Sequence, residues 1–225
     1  MGFNSEELHR IRRMTEPIHT ELDSSNQYDG NSDAIAFGQT LYFSERLSPN
    51  QISCASCHDP EKGFSDGRTV SEGVEETERH APHLYGMNQL TWFFWDGRCD
   101  SLWCQAISPL EAPKEMNSTR VEIAWTIANT PEYLEQYESL FGAFPNIENW
   151  PDKAMPSTDD SDERTEKWNA MSETEQYQAT EIIVNIAKAI AAYEQTIEVP
   201  ESPIDHFLTA FSQDEELGLS SLSEQ

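Results

Sequence analysis

One short run constrains this chain more than any other: Cys54-Ala55-Ser56-Cys57-His58. Two thiols one helical turn apart can each add to a vinyl group of a single haem, while the adjacent imidazole reaches its iron. A redox dithiol would need a strand before the motif and a parallel α/β setting. A structural zinc site would need a second cysteine pair at similar spacing. The remaining cysteines, Cys99 and Cys104, do not have that spacing, so the motif is read as a covalent c-type haem site with His58 as the proximal ligand. Thioether attachment belongs to an oxidising compartment, which predicts a periplasmic or otherwise extracytoplasmic protein; the N-terminus MGFNSEELHR lacks the apolar stretch of a secretory signal.

The rest of the chain reads as all-α. Leu8, Ile11 and Met14 keep helical spacing ahead of Pro17, giving a short leader helix within residues 1–30. Ile35, Phe37, Leu41 and Phe43 mark a second helix with Ser32 as its N-cap. Residues 48–83 carry no sustained period and are read as loops wrapped around the cofactor. Helices follow from about Asp100 to Ile107, from Thr119 with Glu122 at capping-box spacing, and from Thr130-Pro131 to Gly142. Pro145, Pro151, Pro156 and the run DDSDE make 143–171 an expected solvated acidic insertion. Ser172 and Glu175 open a long helix with a stripe of Ile182, Ile183, Ile186, Ile190 and Tyr193.

No apolar run approaches the length of a membrane span. With 41 acidic against 14 basic residues, the net charge of −27 repels nucleic acid and anionic lipid. It favours a basic protein partner or a salty medium.

Several runs together resemble the N-terminal haem half of the bacterial di-haem cytochrome c peroxidase family, which includes the MauG-like proteins. They are FGQTLYFSERLSPNQISCASCHDPEKGFSDG, TWFFWDGRCDSLWCQAISPLEAPKEM, IAKAIAAYEQTI and SPIDHFL. The resemblance implies a cytochrome c-like haem domain over 31–212 holding the peroxidatic haem. It also implies a second haem domain that 213–225 would begin, with Ser223 as the N-cap of its first helix; the expected second haem c has no motif here.

It lends roles to single residues as well. Gln105 and Glu115, seven and seventeen residues after Arg98, match a distal-pocket glutamine that orients peroxide and a glutamate that carries its proton. Trp95 in Trp95-Asp96-Gly97-Arg98 matches a tryptophan lying between two haems, with Trp92, Phe93 and Phe94 sealing the haem edge. Arg98 pairs with a propionate or with Asp96. Both asparagines of a family stretch are replaced, by His80 and Gly86, which puts the interdomain calcium in doubt. Leu90 stands where relatives that close the site place a histidine, which predicts an open site unless His80 or His83 substitutes. Met116 is read as pocket wall.

For Cys99 and Cys104, about 140° apart if both lie on one helix, a local disulfide, two buried thiols and an intermolecular bond stay open. The implied function is reduction of hydrogen peroxide with electrons from a basic c-type cytochrome. The alternatives are MauG-like oxidation of side chains on a partner protein, and a mono-haem electron carrier using Met116 or Met87 as sixth ligand.

Overall fold

A computed structural model describes residues 3–15, 22–157, 162–214, 216, 218 and 219 of the 225. They form helices α1 (Ser5–Met14), α2 (Ser32–Tyr42), α3 (Cys54–Cys57), α4 (Leu102–Glu111), α5 (Arg120–Ala128), α6 (Pro131–Phe141), α7 (Glu163–Asn169), α8 (Glu173–Glu194) and α9 (Pro203–Gln213). Among the described residues β pairing is limited to isolated bridges such as Phe93 with Cys99. The all-α expectation holds.

Two compact units result. In the smaller, α1 and α9 lie together. Each starts with a reciprocal cap, Asn4 with Glu7 and Ser202 with Asp205, which satisfies the amides that a helix start leaves unpaired. The larger, residues 22–197, holds the haem motif. Ser223, expected as the start of a further helix, lies outside the described residues.

The larger unit is built on α8. Its start carries the Ser172/Glu175 capping box, and its Ile182, Ile183, Ile186 and Ile190 are all at most 1% exposed. Against it lie α2, α4 and α5. The face α2 buries differs from the expected one: Phe37, Leu41 and Tyr42 are fully buried, whereas Phe43 is 45% exposed. Its N-cap is Asn31, not Ser32, because Asn31 Oδ1 takes the amides of Asp33 and Ala34.

Gly38 is where α2 meets α8 most closely. A Cβ there would lie 1.9 Å from the carbonyl oxygen of Ala189, and a backbone atom cannot rotate away. Gly38→Ala must therefore push the helices apart. The expected loss is about 3 kcal/mol of unfolding free energy, read from the urea midpoint at unchanged slope. An unshifted midpoint would mean the helices are not held this tightly.

The 143–171 stretch corrects its expectation. Ile147, Trp150, Ala154, Met155, Trp168 and Met171 are buried, and α7 forms within it. The prolines and acids are local signals, but the tryptophans are claimed by the core, where burying such rings outweighs the loop chemistry around them.

Candidate haem site

The two cysteines of the motif stand on one helical turn. α3 is a single turn closed by the His58 amide donating to the Cys54 carbonyl (2.9 Å). At its start the Ser53 amide donates to Ser56 Oγ (3.0 Å). Cys54 and Cys57 are free thiols on this turn. Burial, the largest influence on each, raises both pKa values and keeps them as thiols at neutral pH.

His58 is oriented by the chain around it. Its Nδ1 lies 3.1 Å from the Phe64 carbonyl and 3.0 Å from the Pro82 carbonyl. Carbonyls only accept, so Nδ1 carries the hydrogen and Nε2 keeps its lone pair. Burial lowers the pKa of the ring, with those two hydrogen bonds working against it; the neutral imidazole that iron ligation needs is favoured. The Tyr42 hydroxyl, fully buried, donates to the His58 carbonyl (2.6 Å). Sequence reasoning missed Tyr42, although a tyrosine on an apolar helix face signals a buried hydroxyl partner.

These residues fit a haem. Two thiols and an oriented imidazole supply attachment and ligation, and half-buried apolar side chains of the motif and of nearby segments (Ile52, Ala55, Phe64, Tyr85, Met87) pack against the core with part of their surface left uncovered. The zinc reading has no second pair, because Cys99 and Cys104 are bonded to each other. The dithiol reading has no parallel sheet among the described residues.

That disulfide resolves the three open options. Cys99 lies outside the helix, bridged to Phe93, while Cys104 sits in the first turn of α4, so their Cα atoms come to 5.6 Å. It ties the Trp95–Arg98 loop to the helix that carries Gln105.

Gln105 is half-buried on α4, with its backbone amide donating to the Ser101 carbonyl. Glu115 follows a turn beyond α4 and is half-buried; burial raises its pKa, and the positive charge of Arg98 partly opposes the rise. Arg98 pairs with Asp96 (2.9 Å) and stacks over Phe94 (3.4 Å to the ring centre). Glu115 and Arg98 are thus electrostatic neighbours, and Glu115 also acts on Cys57.

Trp95 is 89% and Trp92 64% exposed, and of the aromatic run only Phe93 is buried, so Trp92 does not belong to a buried aromatic cluster among the described residues. Aromatic rings this exposed find no cover in the described residues. His80, His83 and Leu90 are exposed, and Met116 is packed in the core. No described helix is long and apolar enough to cross a membrane.

Glu194, at the end of α8, was also missed. It is buried, its Oε2 meets no hydrogen-bond donor among the described residues, and burial lifts its pKa to about 8. A carboxyl whose folded pKa is raised binds its proton more tightly folded than unfolded. Stability from this group is full below about pH 4.5 and falls as the pH climbs to about 8. Glu194→Gln is therefore expected to lessen the loss of thermal stability between pH 5 and 8, by a few kcal/mol at most. Parallel stability–pH curves for the variant and the parent would refute this.

Comparisons agree with the geometry. The profile of the di-haem cytochrome c peroxidases matches residues 32–213. Cytochrome c551 peroxidase of Nitrosomonas europaea is 32% identical over 82% of the chain and 47% of its own length. Methylamine utilization protein MauG of Methylorubrum extorquens is 38% identical over 48% of the chain and 32% of its own length. Among solved structures, a MauG-like protein associated with microbial copper homeostasis superposes with a TM-score of 0.61, at 23% identity, over 86% of the chain and 48% of its own. The chain spans a third to about half of the relatives it matches.

Proposed function

The chain belongs to the di-haem cytochrome c peroxidase family, and on that premise we propose that it binds one haem c through Cys54, Cys57 and His58 and reduces hydrogen peroxide with electrons from a c-type cytochrome. The observation that carries the reading is the pairing of an imidazole held with Nε2 free and a half-buried carboxyl, Glu115, with raised proton affinity. When bound, the haem supplies an iron that takes the peroxide and accepts its oxidising equivalents.

The protein's own part is proton handling and orientation. The Phe64 and Pro82 carbonyls hold His58 in one tautomer and one rotation. Glu115 moves a proton from one peroxide oxygen to the other, which makes the departing oxygen a better leaving group. A carboxyl with pKa raised toward the working pH does this better than a solvated one. Gln105 orients the peroxide through its amide. Arg98 faces Glu115 and limits its charge cost. Trp95, on the exposed face, passes electrons inward from a second haem domain, and the acidic surface draws a basic donor cytochrome. Thioether attachment supports a location outside the cytoplasm, where such bonds are made.

The exposure of Trp95 and Trp92 also favours a second reading, MauG-like oxidation of side chains on a partner protein seated over them. An electron-carrier role is less supported, because Met116, one of the two methionines that could serve as a sixth ligand, is packed in the core.

An open distal face separates peroxidase chemistry from electron carriage. The ferric haem-loaded chain is expected to show high-spin EPR signals and to bind cyanide without prior reduction. A low-spin spectrum insensitive to cyanide would overturn this and point to His80, His83 or Met116 as ligand.

A further inference from the structure

Residues 71–79 form a loop closed at its base. The Ser71 amide donates to the Arg79 carbonyl (3.0 Å), and the Thr77 amide donates to the Ser71 carbonyl (2.8 Å). The Thr77 hydroxyl lies 3.0 Å from the Ser71 carbonyl and 2.8 Å from that of Arg79. The tip of this loop lies along the backbone that carries Glu115. Val74 donates its amide to the Glu115 carbonyl (2.9 Å), and Glu75 donates to the Lys114 carbonyl (3.0 Å). On another side the loop reaches the attachment turn, with Cys57 Sγ 3.9 Å from the Glu72 carbonyl.

Gly73 is the point of closest approach. A Cβ there would lie 2.7 Å from the Cα and carbonyl oxygen of Glu115 and from the carbonyl oxygen of Lys114. All three are backbone atoms. The Glu115 segment is also held from behind: its own amide donates to the Ala112 carbonyl (3.0 Å), that of Met116 to Pro109 (3.2 Å), and Ser48 Oγ to the Met116 carbonyl (2.5 Å). With no slack on either side, any side chain at 73 must lift the loop, losing both cross-bonds, or displace Glu115.

We propose that Gly73 is a positioning residue: its missing side chain lets the 71–79 loop clamp the Glu115 backbone, fixing where that carboxyl stands relative to the Cys57 turn and hence to the haem edge. The proposal rests on the reading of Glu115 as proton carrier. It explains how a carboxylate reached only through a turn, rather than from within a helix, keeps one position. A misplacement of about 1 Å in such a group can cost on the order of 10²-fold in rate.

The test compares Gly73→Ala, Glu115→Gln and the double variant, each as the haem-loaded full chain. Gly73→Ala is expected to slow the reaction with hydrogen peroxide by about 10-fold to 10²-fold. It should also lower the apparent pKa of the acid limb of the pH–rate profile, as the displaced carboxyl gains water, and to speed amide exchange at Val74 and Glu75 about tenfold or more. Added to Glu115→Gln, it should slow the reaction no further. Wild-type rate, pH limb and exchange in Gly73→Ala, beside a slow Glu115→Gln, would overturn the clamp and leave the proton carrier standing. A full further loss in the double variant would also overturn the clamp, since Gly73 would then act elsewhere. A Glu115→Gln variant at the wild-type rate would overturn the proton carrier, and the clamp with it. Should Gly73→Ala not fold, Thr77→Val loosens the loop base without adding a clash. It is expected to give the same pattern at about 10-fold, and wild-type rate and exchange there would overturn the proposal.

Discussion

Glu115→Gln is expected to slow the reaction of the haem-loaded chain with hydrogen peroxide by about 10²-fold or more, with haem content and cyanide affinity nearly unchanged. Glutamine keeps the shape of the side chain and a hydrogen-bonding oxygen but cannot take up and release a proton. Glu115 is half-buried, with its pKa raised by that burial and only partly restrained by Arg98, so it keeps a proton to higher pH than a solvated carboxyl and can give it up again. Exposed acids elsewhere on the chain have no such environment, and the same exchange at one of them should leave the rate alone. Stopped-flow mixing with peroxide reads the effect. A variant as fast as the parent would return Glu115 to the ordinary surface acids.

The joint variant Cys54→Ser, Cys57→Ser is expected to lose covalent haem altogether. In the parent chain acid-acetone should leave the colour with the polypeptide, whose mass should exceed the sequence mass by one haem. Both thiols sit on one turn ahead of His58, so each single variant should keep one thioether and the colour, while the joint variant releases all of it. The hydroxyl of serine does not replace a thiol in this addition. Extraction of the colour from the parent would refute covalent attachment.

Legibility from sequence followed the range of the interaction responsible. The start of α8 was readable because the Ser172/Glu175 box and the isoleucine stripe are local. The haem motif was readable because its spacing is imposed by the cofactor's chemistry. The assignment of Asn31 against Ser32 turns on one residue's backbone angles, and two adjacent capping residues look alike in sequence. Trp150 and Trp168 were misplaced because prolines and acids nearby announce a loop, while both rings belong to the core cluster that includes residues of α2, α5 and α8. The partners of Tyr42 and Gly73 could not be read. The first acts on a carbonyl 16 residues away, the second on a backbone 42 residues away, and nothing local marks either partner. Gln105 and Glu115 came from resemblance to a family; their neighbours in sequence carry no signal of a pocket.

The Cys99–Cys104 bond bears on how the molecule can be made. Four cysteines can form six different single disulfides, and only the Cys99–Cys104 bond leaves both Cys54 and Cys57 as thiols able to add to haem. The two pairs therefore need opposite treatment in the same chain, one oxidised and the other kept reduced until its thioethers form. Once they form, no thiolate remains in the sequence to attack the disulfide from within. On the proposed attachment, cofactor insertion would thereby close the route to sulfur shuffling within the chain and shield from internal exchange the bond that holds the tryptophan loop.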